Sequence, residues 1–239
     1  MTDWNHKSTV AEIRSRFDND VERFSNLETG QQATMDAPVV LTRVAKVAAH
    51  HLRPGASILD IGCGAGNFTL RVMGETGPLH CHLADLSQPM LDRASDRVRA
   101  AGAAGISTHQ ADLRDLEFAP ESFDAIVAGA VLHHLRGDDD WERVFRKLHE
   151  WLKPGGRLYV SDLIWFDDPH VQDLMWQQYG EYLVALRGEG YRDAVFAYID
   201  KEDSPRPLNY QLELLRQSGF SSFEVLHRNS VFAAYYGQK

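Results

Sequence analysis

The segment 57–67 constrains the fold more than any other part of this chain. A short apolar run that contains one acid, Asp60, ends in glycines at three alternate positions, Gly62, Gly64 and Gly66. The apolar run predicts a buried strand of a parallel sheet, because strands covered on both faces are almost continuously hydrophobic. Glycines directly after such a strand allow a tight turn, and they let a ligand lie against the backbone at the strand's carboxyl end.

The spacing of these glycines separates two classes of ligand. A dinucleotide fingerprint is Gly-x-Gly-x-x-Gly, in which the third glycine packs the helix that receives the pyrophosphate. Here Asn67 stands at that third position, and Gly66 comes one residue earlier. The carboxylate of Asp60 would repel a pyrophosphate and would suit positive charge. The loop therefore favours a cationic ligand over a dinucleotide.

Patterns typical of strands and helices alternate along the chain. Strands are predicted over residues 58–61, 79–84, 106–110, 123–128, 157–162, 223–228 and 231–236. Helices are predicted over 10–24, 36–51, 67–74, 87–98, 141–152 and 208–218, with an aromatic-rich helical insertion over about 165–205. This order predicts a doubly wound, seven-stranded α/β sheet, mostly parallel, with an antiparallel hairpin at the C-terminal edge. Asp85, Asp112 and Asp162 mark the carboxyl ends of three strands.

Length and composition limit the classes of protein to which the chain can belong. At 239 residues, with 44% hydrophobic and 25% charged residues, it has enough core for one large α/β domain. Its net charge of −9 argues against a duplex nucleic-acid binder, although a local basic patch for RNA stays open. No run is apolar and long enough to span a bilayer, and the first residues lack a signal-peptide layout. Since Cys63 and Cys81 form no metal pattern either, we expect a cytoplasmic protein without membrane contact.

The glycine loop and the acids at the strand ends resemble those of class I S-adenosylmethionine (SAM)-dependent methyltransferases. The motifs match in order from about Pro54 to Asp162, and the general layout matches through Tyr236. The resemblance implies an enzyme with SAM as its cofactor, which yields S-adenosylhomocysteine. It also implies one structural domain, in which residues 1–53 form an N-terminal helical lid region and residues 54–239 form the SAM-binding domain.

The resemblance also assigns residues to the cofactor. Asp60 would face the amino group of the methionine part, through water or backbone, and the glycines would lie against that part. Asp85 would accept hydrogen bonds from the ribose hydroxyls. Asp112 would accept from the adenine amino group, and Leu86 and Leu113 would sandwich the ring. The full set is Asp60, Gly62, Gly64, Gly66, Asp85, Leu86, Met90, Asp112, Leu113 and Ala128.

The resemblance places His133 and part of the insertion on the acceptor side. In the family, the segment after the fourth strand passes beneath the sulfonium, and His133 aligns with a histidine near the transferred methyl. We predict His133 as the catalytic residue: a general base for an oxygen or protonated-nitrogen acceptor, and an orienting group for a thiolate or carboxylate. Tyr179, Tyr182 and Arg187 are the other predicted residues of the substrate pocket, and no metal ligand is predicted.

Three functions are compatible with the resemblance. Both ends of the chain are similar to small-molecule methyltransferases, which predicts a small-molecule acceptor and no nucleic-acid partner. They are more loosely similar to the enzymes that make carboxy-SAM for modification of the tRNA wobble uridine. Those enzymes hold the added carboxylate with an arginine that has no equivalent in the acidic stretch 198–203. A non-catalytic SAM-binding module is the third function, and the sequence leaves the acceptor atom and the oligomeric state open, a homodimer included.

Overall fold

A computed structural model describes residues 6–26 and 31–239 of the chain. Within them, the strands are β1 Ser57–Ile61, β2 His80–Asp85, β3 Gly105–Gln110, β4 Phe123–Gly129, β5 Leu152–Leu163, β6 Ser222–Asn229 and β7 Phe232–Gln238. They form one seven-stranded sheet in the order β3-β2-β1-β4-β5-β7-β6. Strands β1 to β5 pair in parallel, whereas β7 runs antiparallel to both β5 and β6. The predicted sheet, with its antiparallel C-terminal hairpin, is confirmed.

Helices cover both faces of this sheet. The described helices are α1 Val10–Asp18, α2 Val21–Ser25, α3 Ala37–His51, α4 Asn67–Thr76, α5 Gln88–Ala100, α6 Asp138–Trp151, α7 Pro169–Arg187, α8 Glu189–Glu202 and α9 Leu208–Gln217. Helices α3, α4 and α5 bury one apolar cluster against the sheet, and α6 and α9 bury another. The predicted insertion is present as α7 and α8, which share a third cluster with β5 and β7. Among the described helices, none is long and apolar enough to cross a membrane.

The N-terminal apolar stripe forms two helices instead of the single helix predicted over residues 10–24. Helix α1 begins with a capping box, in which the side chains of Thr9 and Glu12 each accept from the other's backbone N–H. It ends at Asn19, whose side-chain amide donates to a carbonyl of the preceding turn at 2.7 Å. Asn19 and Asp20 interrupt the helix because short polar side chains compete for backbone hydrogen bonds. The prediction of one continuous helix was wrong for that reason. Residues 1–5 and 27–30 of the predicted lid region lie outside the described residues.

The carboxyl ends of the parallel strands meet at one edge of the sheet. Ile61 of β1 pairs with Ala84 of β2 on one side and with Ala128 of β4 on the other. The glycine loop follows β1, Asp85 ends β2, and a single 3-10 turn, Leu132–His134, follows β4. The loops that the sequence assigned to the cofactor and to the acceptor are therefore neighbours.

Candidate cofactor and acceptor site

A cavity of about 570 Å³ lies at this edge of the sheet. Its volume is in the range of roughly 300–1,000 Å³ that small-molecule sites occupy. The loops after β1, β2 and β3 line it together with residues of α1, α7 and α8, and α1 also approaches Asp85 and Asp112 of the cofactor loops. The cavity is thus continuous from the predicted cofactor loops to the predicted acceptor side.

The glycine loop has a backbone that glycine adopts readily. The φ angle is +65° at Gly62 and +48° at Gly64, in the left-handed region. A Cβ on Gly62 would lie 2.5 Å from a side-chain carbon of Val131, whereas a Cβ on Gly64 would meet nothing within 4 Å. Gly62 is therefore required for packing beneath the loop, and Gly64 leaves open space at the cavity wall. Gly66 is outside the described lining of the cavity, and it packs against Ala94 of α5.

Asp85 joins the glycine loop to the start of α5. Its Oδ2 accepts from the backbone N–H of Gly64 at 2.8 Å, and its Oδ1 accepts from that of Ser87 at 2.9 Å. Burial raises the pKa of Asp85 above its ordinary value, although these backbone N–H groups act in the opposite direction. An ionised carboxylate has about four acceptor positions, so Asp85 keeps capacity for a ligand's hydroxyl groups in the cavity that it lines.

Asp60 is a buried acid in the cavity wall. Both the backbone N–H and the hydroxyl of Thr69 donate to the same oxygen, Oδ2, at 3.2 and 2.7 Å. Burial raises the pKa of Asp60 to about 7, against the effect of these two hydrogen bonds. A nearby positive charge favours the ionised form of such an acid. Asp60 lines the cavity and could therefore respond to a cationic ligand bound there.

Asp112 is held by an arginine that the sequence analysis did not select. The backbone N–H and the Nε of Arg114 donate to Asp112 Oδ1 at 2.9 and 2.8 Å, and its Nη2 donates to Oδ2 at 2.5 Å. Burial alone would raise the pKa of Asp112, but the hydrogen bonds from Arg114 outweigh it and hold this pKa below its ordinary value. A ligand's amino group at Asp112 would share the carboxylate with Arg114.

The predicted apolar contacts to the cofactor divide into two groups. Leu86, Met90 and Leu113 line the same end of the cavity as Asp85 and Asp112. Ala128 is fully buried in the sheet core and is outside the described lining, to which its neighbours Gly129 and Ala130 belong. The cavity lies at the carboxyl edge of the sheet, so the residues at and just beyond the end of β4 line it, whereas Ala128, one position earlier, stays in the core.

The acceptor side is built around His133, in the turn after β4. Its Nδ1 is hydrogen-bonded to Oδ1 of Asp162, which is buried near the end of β5. The other oxygen of Asp162 accepts from the backbone N–H groups of Val131 and Leu132 at 3.3 and 2.8 Å. Asp162 thus fixes both the turn and the ring of His133. The sequence marked Asp162 as a strand-end acid but gave it no role in the site.

A second carboxylate, Asp203, lies on the other side of the His133 ring. Asp203 follows α8, and its Oδ1 is 3.6 Å from Nε2 of His133 and 3.5 Å from Nδ1 of His134. Burial would lower the pKa of His133, but the two carboxylates, Asp203 and Asp162, raise it to about 9. Burial lowers the pKa of His134 and raises that of Asp203 to about 6. The acidic stretch 198–203, which had no assigned role, therefore contributes directly to the site.

Of the predicted insertion residues, one lines the cavity. Tyr179 lines it and donates its hydroxyl to the carbonyl of Ala33 at 2.8 Å. Tyr182 and Arg187 are outside the described lining, and both donate to Gln32, at 2.7 and 2.6 Å. They hold the segment before α3 in place. Helix α8, which supplied no predicted site residue, instead contributes Tyr191, Ala194, Val195, Tyr198 and Ile199 to the lining.

Comparison with known proteins agrees with this architecture. Residues 58–156 match the family described as Methyltransferase domain. A carboxy-S-adenosyl-L-methionine synthase of Shewanella frigidimarina is 25% identical to the chain, and the match covers 82% of this chain and 81% of the synthase. The ubiquinone/menaquinone biosynthesis C-methyltransferase UbiE of Vibrio parahaemolyticus is 34% identical, over 71% of this chain and 66% of that enzyme. The chain thus spans just under two thirds of that UbiE.

A solved structure of an O-methyltransferase family protein from Burkholderia thailandensis has the same fold, with a TM-score of 0.65 at 16% identity. The match covers 94% of this chain and 62% of that one. Fold, glycine loop and sequence matches together define a class I methyltransferase. Residues 58–156 carry the domain that this family shares, and the matches support SAM as the cofactor.

Proposed function

We propose that the enzyme transfers the methyl group of SAM to a small-molecule acceptor that binds between α1 and the insertion. The observation that carries this proposal is the enclosure of that end of the cavity. Phe17 of α1 and Tyr198 of α8 line it from two sides, and Tyr179 of α7 and Phe232 of β7 line it from the insertion cluster. Such a pocket suits a compact acceptor, since a macromolecule would need an open groove.

The charges around the cavity favour an acceptor without a large negative charge. Four arginines line the described part of the cavity, and protein groups already accept from each of them. Arg23 is paired with Asp20, and Arg114 is paired with Asp112. Arg16 is paired with Glu202. Arg136 donates to the carbonyl of Glu202 and to the hydroxyl of Ser204. The four lining arginines are therefore Arg16, Arg23, Arg114 and Arg136. The apolar and aromatic walls then supply most of the binding surface.

The reaction itself needs little from the protein beyond positioning. The attacking atom of the acceptor forms a bond to the methyl carbon while the carbon–sulfur bond breaks, and the electron pair stays on sulfur. Holding both molecules in line converts this into an effectively intramolecular step. In the proposal, His133 and Asp203 are the polar groups that hold the acceptor's reacting group, directly or through a bound ion.

The proposal is tested with methyl-labelled SAM and a cell extract separated by ultrafiltration into low-mass and macromolecular fractions. We expect label in a product of the low-mass fraction, together with an equal amount of S-adenosylhomocysteine. Label transferred only to the macromolecular fraction would overturn the small-molecule acceptor. Formation of S-adenosylhomocysteine at the same rate without any fraction would show hydrolysis instead of transfer.

The carboxy-SAM synthase function is the alternative that a relative's name supports. It would require a cation for the added carboxylate, and the arginines in the described lining are already held by protein acceptors. Mass spectrometry of the nucleoside that co-purifies with the enzyme separates the two functions: SAM or S-adenosylhomocysteine supports methyl transfer, and carboxy-SAM supports the alternative.

Both cysteines are free and buried, which fits the reducing cytoplasm that we propose as the location.

A further inference from the structure

Three polar atoms of two side chains at the acceptor end of the cavity lack the hydrogen bonds that burial normally requires. Both ring nitrogens of His134 and Oδ1 of Asp203 are buried and have no hydrogen-bond partner among the residues that the structure describes. A buried polar atom without a partner costs about 1–3 kcal/mol. Two of these atoms, Nδ1 of His134 and Oδ1 of Asp203, lie 3.5 Å apart, and together they indicate a missing ligand.

The distances show what kind of ligand fits. His133 Nε2 and His134 Nδ1 lie 3.6 and 3.5 Å from the same oxygen, Oδ1 of Asp203. These separations exceed the roughly 3.2 Å limit of a good N–H···O hydrogen bond. Two ligand atoms at about 2.1 Å from a tetrahedral zinc ion stand about 3.4 Å apart. The three donor atoms, all within 4.8 Å of one another, are thus spaced as ligands of one metal ion.

The surroundings also have the form of a metal site. His133 is hydrogen-bonded through Nδ1 to Asp162, so its Nε2 faces Asp203. A carboxylate that orients a histidine ligand in this way is a regular part of zinc sites. We propose that His133, His134 and Asp203 bind a divalent transition-metal ion, in addition to the SAM site.

The donor set and the local charge select the class of ion. Two imidazoles with one carboxylate suit zinc or ferrous iron, whereas magnesium and calcium prefer oxygen ligands. Nearby, the three carboxylates of Asp162, Glu202 and Asp203 face the two guanidinium groups of Arg16 and Arg136. A divalent cation would add positive charge beside these groups, which suits an anionic oxygen as a further ligand.

The role of this metal site in the reaction rests on the proposed function, methyl transfer to a small molecule. Three protein ligands leave at least one position for another ligand, and all three residues line the cavity. An acceptor hydroxyl bound there would release its proton to water at a lower pH than free in solution. Its oxygen would then attack the methyl carbon of SAM, with the electron pair of the broken bond left on sulfur. The site thus favours O-methylation of a small hydroxyl compound.

The site is tested by isothermal titration of the chelator-stripped full chain with Zn²⁺. We expect one ion per chain, with a dissociation constant in or below the micromolar range. His134→Gln and Asp203→Asn should each weaken binding by at least about tenfold, as loss of a ligand or its support does. The matched control is the double variant His50→Gln with His51→Gln, which removes an exposed pair of adjacent histidines and should leave the affinity unchanged.

Co²⁺ loaded into the unmodified protein provides a measurement that does not depend on variants. Its absorption spectrum should show nitrogen and oxygen coordination without thiolate bands from Cys63 or Cys81. Absence of stoichiometric Zn²⁺ binding, thiolate bands, or loss of binding in the His50/His51 control would overturn the proposal. Titration of the same samples with S-adenosylhomocysteine separates the two proposals: normal binding of this ligand without Zn²⁺ binding removes the metal site and leaves methyl transfer intact.

Discussion

Arg16 of α1 and Glu202 at the end of α8 form a two-point ion pair beside the cavity. Nε of Arg16 lies 3.0 Å from Oε1 of Glu202, and Nη2 lies 2.8 Å from Oε2. The side chain of Glu202 is 8% exposed and that of Arg16 is 26% exposed. Phe17, the next residue of α1, lines the cavity. This pair therefore holds α1 beside the site, and it links α1 to the insertion that carries Asp203.

Breaking this pair should loosen α1 without unfolding the domain. Glu202→Gln removes a charge-assisted contact that contributes about 1–2 kcal/mol in its partly exposed setting, so the opening equilibrium of residues 10–18 should increase by about 5- to 30-fold. Hydrogen exchange followed by mass spectrometry measures this effect. Glu213→Gln, at an exposed i,i+3 pair with Arg216, is the control and should change nothing at α1.

The same exchange experiment tests whether the N-terminal helices act as a lid. Residues 10–26 should exchange more slowly with S-adenosylhomocysteine bound than without it, because Phe24 and Phe17 line the cavity and a methyltransferase must exclude water yet admit substrate. Equal protection with and without ligand would identify these helices as fixed structure.

Replacement of Asp85 should weaken cofactor binding selectively. Asp85→Ala removes the acceptor proposed for the ribose hydroxyls and the bond to Gly64, which should cost about 1.5–3 kcal/mol, or about 10- to 150-fold in affinity for S-adenosylhomocysteine. Calorimetry measures the loss, and thermal unfolding should show that the fold persists. Asp96→Ala, on the exposed face of α5, is the matched control. Unchanged affinity in the Asp85 variant would refute its role at the ribose.

Cofactor binding should depend on pH through Asp60. The pKa of this acid is raised from 3.8 to about 7 in the unliganded fold, so the acid is largely protonated below pH 7 and ionised above it. Because a cationic ligand favours the ionised form, SAM binding should release a proton near pH 7 and should tighten from pH 6 to pH 8. Calorimetry in buffers of different ionisation enthalpy counts that proton. The proton release should disappear in Asp60→Asn, and its persistence there would assign it to another group.

Removal of the histidine ring at the acceptor end should lower the turnover of the acceptor without weakening the binding of the cofactor. His133→Ala should lower turnover of the acceptor found by the labelling experiment, while the affinity for S-adenosylhomocysteine stays within about twofold. The reason is the set of contacts: His133 contacts Asp162 and Asp203, whereas Asp85 contacts the backbone of the glycine loop at Gly64. A large loss of affinity for S-adenosylhomocysteine would move His133 to the cofactor side.

The sequence located the glycine loop and the strand-end acids at one edge of the sheet because these signals are local. Asp85 and Gly64 both lie directly at strand ends, and a parallel sheet necessarily brings such ends to one edge. Ala128 shows the limit of this reasoning. The strand was identified, but the exact position of its end decides which residues reach the cavity, and Gly129 and Ala130 line it, whereas Ala128 does not.

The acceptor end depends on contacts between segments that are far apart in the sequence, and no local sequence pattern reveals such contacts. Asp203 meets His133 only because α8 ends beside the turn after β4. Tyr182 and Arg187 were placed in the pocket because they belong to an aromatic helix, yet they contact Gln32. Helix α7 has apolar residues on several faces, so its sequence does not show which face turns to the cavity.

Calorimetric titration with S-adenosylhomocysteine and with NAD tests most directly the claim that the cofactor lies on the glycine loop. The unmodified chain should bind S-adenosylhomocysteine at one site and should not bind NAD. Gly64→Val should abolish binding, because a side chain there fills the open space against the loop. Gly55→Val, at another glycine with a positive φ of +85° and nothing within 4 Å, places valine at a strained position away from the cavity lining and should bind normally. Binding of NAD, or full affinity for S-adenosylhomocysteine in the Gly64 variant, would contradict this account.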